Sequence, residues 1–189
     1  SWLYKKMSLK RVYYSAYVPV NSAKNLPVKI PNLLTREHRL YQADWLLRFY
    51  GFSTEELFQK SPYYLDQNCD PKLAWALQNP GYFPVEINTA DYRKLLRVHG
   101  LGVISGKKIL ALRKVKKISF EDLPKLGIVL KRAKYFITVK GKSSGFLSFS
   151  PKVIRRKLLG PESESVQLDL FSSYPQFEPP LYNYVPELK

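Results

Sequence analysis

The chain has 189 residues, 45% of them hydrophobic, with one cysteine and a formal net charge of +16. No apolar run approaches the roughly 18 residues a membrane-crossing helix needs, so no membrane partner is expected. A single Cys69 excludes an internal disulfide or a multi-cysteine metal site within the chain. It suits a reducing cytoplasm.

In chain order, "KRVYYSAYVPV" alternates strictly. Val12, Tyr14, Ala16, Val18 and Val20 share one face, and Arg11, Tyr13, Ser15 and Tyr17 the other. That period of two predicts a strand, which needs a partner to pair with. A loop with Pro27 and Pro31 follows. From Thr35, Leu40, Ala43, Leu46, Leu47 and Tyr50 recur at helical spacing until Gly51. Ser53 with Glu56 spells a capping box, and Asp70-Pro71 a cap followed by proline at the first helical position. Asn88 or Thr89 is expected to cap "ADYRKLLRV", and "VISGKKILALRKV" follows "HGLG". Ser119 then caps "FEDLPKLG", and "IVLKRAKYFITV" completes the series.

No second strand-rich block is visible, so the fold class is mainly α. A terminal strand and loop occupy 1–34, a helical domain 35–140, and a linker and tail 141–189. The tail is rich in Pro, Ser and Glu, interrupted by the basic helical turn "KVIRRKLL".

Charge is concentrated in one region. Residues 82–140 hold fourteen Lys/Arg against four Asp/Glu, whereas residues 35–81 hold five against six. A polyanion is the expected partner, met by the 82–140 surface.

Within that region, "LLRVHGLGVISGKKIL" joins two helical patterns through Gly100-Leu101-Gly102, with apolar anchors at Leu95, Val98, Leu101, Ile109 and Leu110. It resembles the helix–hairpin–helix motif L-x-x-L-P-G-I-G-x-x-x-A-x-x-I-L. Gly100 and Gly102 permit positive φ and clear room for a phosphate. Leu101 plugs the core, and the freed amides at the start of the second helix form an anion nest. Lys107 and Lys108 add charge near the phosphates. His99 stands where the motif has Pro, either adding a phosphate contact or filling a turn; Gly106 stands where it has Ala. A plain helical hairpin closed by a Gly-rich turn fits the same residues.

A weaker copy, "LPKLGIVLKRAKYF", places Gly127 at the turn, with Lys131, Arg132 and Lys134 on its second helix. Two such motifs back to back imply sequence-independent binding of double-stranded DNA through both strands' phosphates.

No enzyme constellation is recognisable. Asp122 lies about where a glycosylase on this motif would carry its catalytic Asp, but it belongs to the second hairpin's start and reads as a cap. His38 and His99 lack companions at metal-ligand spacing, and no phosphate-binding loop follows a strand.

The stretches "LKRVYYSAYVPV", "REHRLYQADWLLRFYGF", "DPKLAWAL", "FPVEIN", "LLRVHGLG" and "LGIVLKRAKYFIT" are similar to the C-terminal part of the radical S-adenosylmethionine proteins described as putative DNA modification/repair proteins. The resemblance implies that Arg11–Val20 is the last strand of a barrel whose remainder this chain lacks. It implies a 4Fe-4S cluster and S-adenosylmethionine on that barrel, with no cofactor in this chain, because the three-cysteine motif is missing. It also implies a barrel portion and a uracil-DNA glycosylase-like protein as partners, in the cytoplasm at the nucleoid. Two other roles stay open: completing an active site with the barrel, with Tyr13, Ser15 or Tyr17 at its mouth, or an RNA- or DNA-binding assembly role.

In the tail, Gln167, Leu168, Asp169, Leu170 and Phe171 match Q-L-[S/D]-L-F, the peptide by which bacterial polymerases and repair proteins dock on the sliding clamp. Leu168, Leu170 and Phe171 would enter an apolar cleft, Gln167 would supply a polar handle, and Asp169 would face outward. Alternatively the segment folds back onto the helical domain.

Overall fold

The computed structural model describes residues 4, 6–15, 33–59, 65–144 and 150–160. Among them the chain is helix-rich, with eight α-helices and one three-stranded sheet.

The first helix, α1 (Leu33–Phe49), buries Ala43, Asp44 and Leu46. Gly51 then reverses the chain at φ +67°. In α2 (Thr54–Leu57) the capping box is complete: Ser53 Oγ accepts from Glu56 N, and the Glu56 carboxylate accepts from Ser53 N at 2.8 Å. Asp70 caps α3 (Pro71–Gln78), its carboxylate accepting from Leu73 N at 3.0 Å. A 3-10 turn (Pro80–Tyr82) leads to β1 (Val85–Glu86).

Helix α4 (Tyr92–Arg97) is capped by Asp91 rather than by Asn88 or Thr89. The Asn88 amide is committed elsewhere: Nδ2 donates to Ile118 O and Oδ1 accepts from Ile118 N. Helix α5 (Val103–Leu112) starts at the expected residue. The short helices α6 (Asp122–Lys125) and α7 (Leu130–Ala133) form the second pair. Asp122 caps backwards, its carboxylate accepting from Ser119 N, Ser119 Oγ and Lys116 Nζ. Those donors hold the carboxyl well below its usual range, Lys116 contributing most.

The expectation of an all-helical 35–140 segment fails at β1 and again after Ala133. Residues expected to prolong a helix form β2 (Ile137–Val139), which pairs in parallel with β1 and antiparallel with β3 (Lys142–Ser143). Phe136, Ile137, Thr138 and Val139 are aromatic or β-branched and suit a pleated surface better than a helix. The deciding partner, Val85–Glu86, lies about fifty residues earlier in the chain, beyond any local pattern. The Glu86 carboxylate accepts from Lys140 N and Gly141 N, closing the β2–β3 turn.

Residues 11–15 lie in no strand; Tyr14 instead docks on α1, its N–H donating to Tyr41 Oη and its carbonyl accepting from Tyr41 Oη. The rest of the expected strand, 16–20, falls outside the described residues.

Helix α8 (Pro151–Leu159) packs against α3, adds Ile154 to the core, and pairs Arg155 with Asp66 at 2.9 Å. Residues 150–160 thus belong to the helical body rather than to a linker. The core runs continuously through Leu73, Ile87, Leu95, Leu101, Ile109, Leu123 and Phe136, all fully buried. Each such side chain contributes about 1.5–3 kcal/mol of burial.

Candidate nucleic-acid interface

Between α4 and α5, Val98 leaves the helix and Gly100 takes φ +85°, turning the chain so that Leu101 drops into the core. Gly102 then begins α5 at φ −99°, an ordinary extended value. Of the two glycines expected to need positive φ, only Gly100 does. A Cβ on Gly102 would meet nothing nearer than Tyr50 Oη at 3.6 Å, so this position is open rather than strained.

The first bond of α5 runs from Gly106 N to Gly102 O at 2.8 Å. The amides of Gly102, Val103, Ile104 and Ser105 take no acceptor among the described residues. As the first four donors of a helix they have no intrahelical partner, and the Leu101 carbonyl just before them accepts from Lys72 Nζ at 2.6 Å. Four donors and the positive end of a ten-residue helix therefore stand together.

The second pair repeats the first at an offset of 27 residues: Gly127 stands at Gly100's place with φ +78°, Ile128 at Leu101's, and Ala133 at Gly106's. The two turns clasp each other. Val129 N donates to Gly100 O at 3.0 Å, and Ser105 Oγ donates to Gly127 O at 2.9 Å. This contact uses one amide, Val129 N. In the second turn Gly127 N, Ile128 N and Val129 N all have acceptors, on Pro124, Leu123 and Gly100. The pairs share the left-handed glycine, but of Val129–Arg132, which correspond to Gly102–Ser105, only Leu130 N and Lys131 N take no acceptor among the described residues, against all four in the first pair.

A cleft of about 1010 Å³ opens between the second half of α1 and the two turns. Arg39, Lys72, Lys108 and Arg132 line it, against the single carboxylate of Asp70. Arg39 is held by Gln67 O and Gln42 Oε1. Lys72 is buried beneath the Tyr50 ring, 4.6 Å from its centroid, and burial pulls its ammonium down to about 7; the Asp70 charge opposes this and Arg97 adds to it. Trp45 and Phe49, half-exposed, form a tilted pair with centroids 4.3 Å apart on the same wall.

The expected site residues separate as follows. Gly100, Leu101, Gly102, Lys108, Gly127 and Arg132 line the cleft; Lys107 and Lys131 are exposed outside its lining. Lys134 is half-buried with Nζ over the Tyr135 ring at 5.1 Å. His99 is only 6% exposed, its ring edge-on to Phe136 and Nδ1 3.7 Å from Asp70. Burial pushes its imidazole down to about 4, which favours the neutral ring, and His99 also lines the cleft. The segment 167–171 lies outside the described residues.

Sequence reasoning missed Lys72, Arg39 and the Trp45–Phe49 pair. The pair did carry a signal: two aromatics four residues apart, both off the apolar face of α1. Lys72 had none, because its role depends on Leu101, 29 residues away.

Among the described residues no group of three His, Cys, Asp or Glu comes together to hold a metal, and no helix is long and apolar enough to cross a membrane. Cys69 is buried, and burial pushes its thiol up to about 12, with Asp70 and Asp66 adding to it. One inert thiol does not fit a cluster's ligand set. Comparison with protein-family models, with curated proteins and with solved structures finds no match.

Proposed function

We propose that the helical body is a sequence-independent binding module for double-stranded DNA, a tandem helix–hairpin–helix unit of a DNA modification or repair protein. The observation that carries it is the left-handed Gly100 turn opening α5 with four amides unclaimed, flanked by Lys108 and Arg132. A phosphate oxygen is the natural acceptor for such a nest. Backbone donors meet the nucleic-acid backbone alike at every sequence. The resemblance to radical S-adenosylmethionine proteins extends the reading to a barrel-bearing parent, and Gln167–Phe171 to recruitment by a sliding clamp.

The test is titration of labelled duplexes with Gly102→Val. That position accepts a side chain without strain, so the fold persists while the branched side chain screens the amides. Duplex affinity is expected to fall about tenfold or more, equivalent to about 1.4 kcal/mol. Unchanged affinity, or no duplex binding by the wild-type chain at low salt, overturns the reading.

A further inference from the structure

We infer that the cleft between α1 and the paired turns receives an unpaired nucleotide, so that the module prefers DNA with a base out of the stack to a fully paired duplex. The inference rests on the duplex-binding reading and adds to it the substrate feature that the cleft selects.

Three features of the cleft converge. Its volume, about 1010 Å³, is ample for one nucleotide unit, since ligand pockets run from roughly 300 Å³ upwards. Its charge suits an anion: Lys108 and Arg132 line it and make no ion pair among the described residues, against the one carboxylate of Asp70. Trp45 and Phe49, 52% and 46% exposed, also line the cleft, with Ile104 at 71% on the first turn of α5. Large aromatic surface left in water beside a cationic cleft is costly unless something flat covers it.

The aromatic wall is built rather than accidental. Arg48 stands 4.9 Å from the Phe49 ring and 6.0 Å from Trp45, and is itself anchored to buried Asp44 at 3.1 Å. Phosphate donors and exposed aromatic faces lining one cleft match the two parts of a nucleotide. A paired base presents no free face, whereas an unstacked one does. An acidic peptide would meet the cations but leave the aromatic wall bare.

The experiment measures anisotropy of the full chain on two duplexes of equal length and charge. One is fully paired and the other carries a single bulged 2-aminopurine. The bulged duplex is expected to bind about tenfold tighter, with quenched 2-aminopurine emission as the base stacks. Trp45→Ala with Phe49→Ala is expected to abolish both effects, so that the two duplexes bind alike; Trp45→Phe is expected to restore most of the preference. Equal binding of the two duplexes, or a preference that survives the double substitution, overturns the nucleotide cleft alone. Displacement of the bulge by polyglutamate of matched charge also overturns it, in favour of an acidic peptide. Failure of both duplexes to bind at low salt overturns the duplex-binding reading and this inference with it.

Discussion

Gly100 and Gly102 lie two residues apart and do opposite things. Gly100 combines φ +85° with a closed environment: a Cβ there would sit 2.9 Å from Val129 O and from Arg132 Cβ. Gly100→Ala therefore adds left-handed strain of about 1–2 kcal/mol and overpacking of about 1–3 kcal/mol. A loss of about 3 kcal/mol is expected in urea unfolding, against less than about 1 kcal/mol for Gly102→Ala. Titration at Lys72 and His99 gives a second prediction. Both are bases depressed in the fold, from 10.5 to about 7 and from 6.5 to about 4. Between each pair of values the unfolded chain holds a proton the folded chain lacks, so stability rises with pH there. The rise is expected from about pH 4 to 6.5 for His99 and from about 7 for Lys72. Above about pH 9, Cys69 and Tyr14, both raised to about 12, act in the opposite sense. Lys72→Met should flatten the unfolding midpoint between pH 7 and 9 while leaving the acid limb.

At the scale of elements, the helix pairs are stable only through each other. Helices α6 and α7 have four residues apiece, far below the length at which an isolated helix holds in water. Their support is the clasp of Val129 N on Gly100 O and Ser105 Oγ on Gly127 O, over the shared core of Leu101, Ile128 and Ala133. Ser105→Ala removes one of these bonds and is expected to cost about 1 kcal/mol. Because the clasp is shared, native-state hydrogen exchange should report one opening free energy for α4–α5 and α6–α7, lowered equally by Ser105→Ala. Separate values for the two pairs would show that they are independent units.

Across the whole molecule, the charge of +16 is distributed so that the 82–140 segment dominates the outer field. If the paired turns neutralise about four phosphates, log K for duplex DNA should fall against log salt with a slope of about −3.6. Neutralising Lys108 and Arg132 together should make that slope shallower by about 2 while changing the midpoint of unfolding little, since both are exposed. A slope that ignores these substitutions would place the phosphate path elsewhere on the surface.

The sequence by itself determined whatever depends on neighbours a few residues apart. The Ser53–Glu56 box, the Asp70-Pro71 start of α3, the start of α5 at Val103 and the Leu101 plug between glycines all rest on local backbone chemistry. It misplaced the cap of α4 because Asn88 and Asp91 are equally good caps by type. Only the pairing of Asn88 with Ile118, thirty residues on, decides between them. The tertiary structure alone decided that residues 137–139 leave the helical pattern for a sheet, since their partner strand is remote. It also decided that His99 is buried, that Lys72 takes the Leu101 carbonyl, and that Val129 N of the second turn is spent on Gly100 of the first. These outcomes turn on which hydrogen-bond partner reaches a group first in three dimensions. A pattern of spacing along the chain does not contain that information.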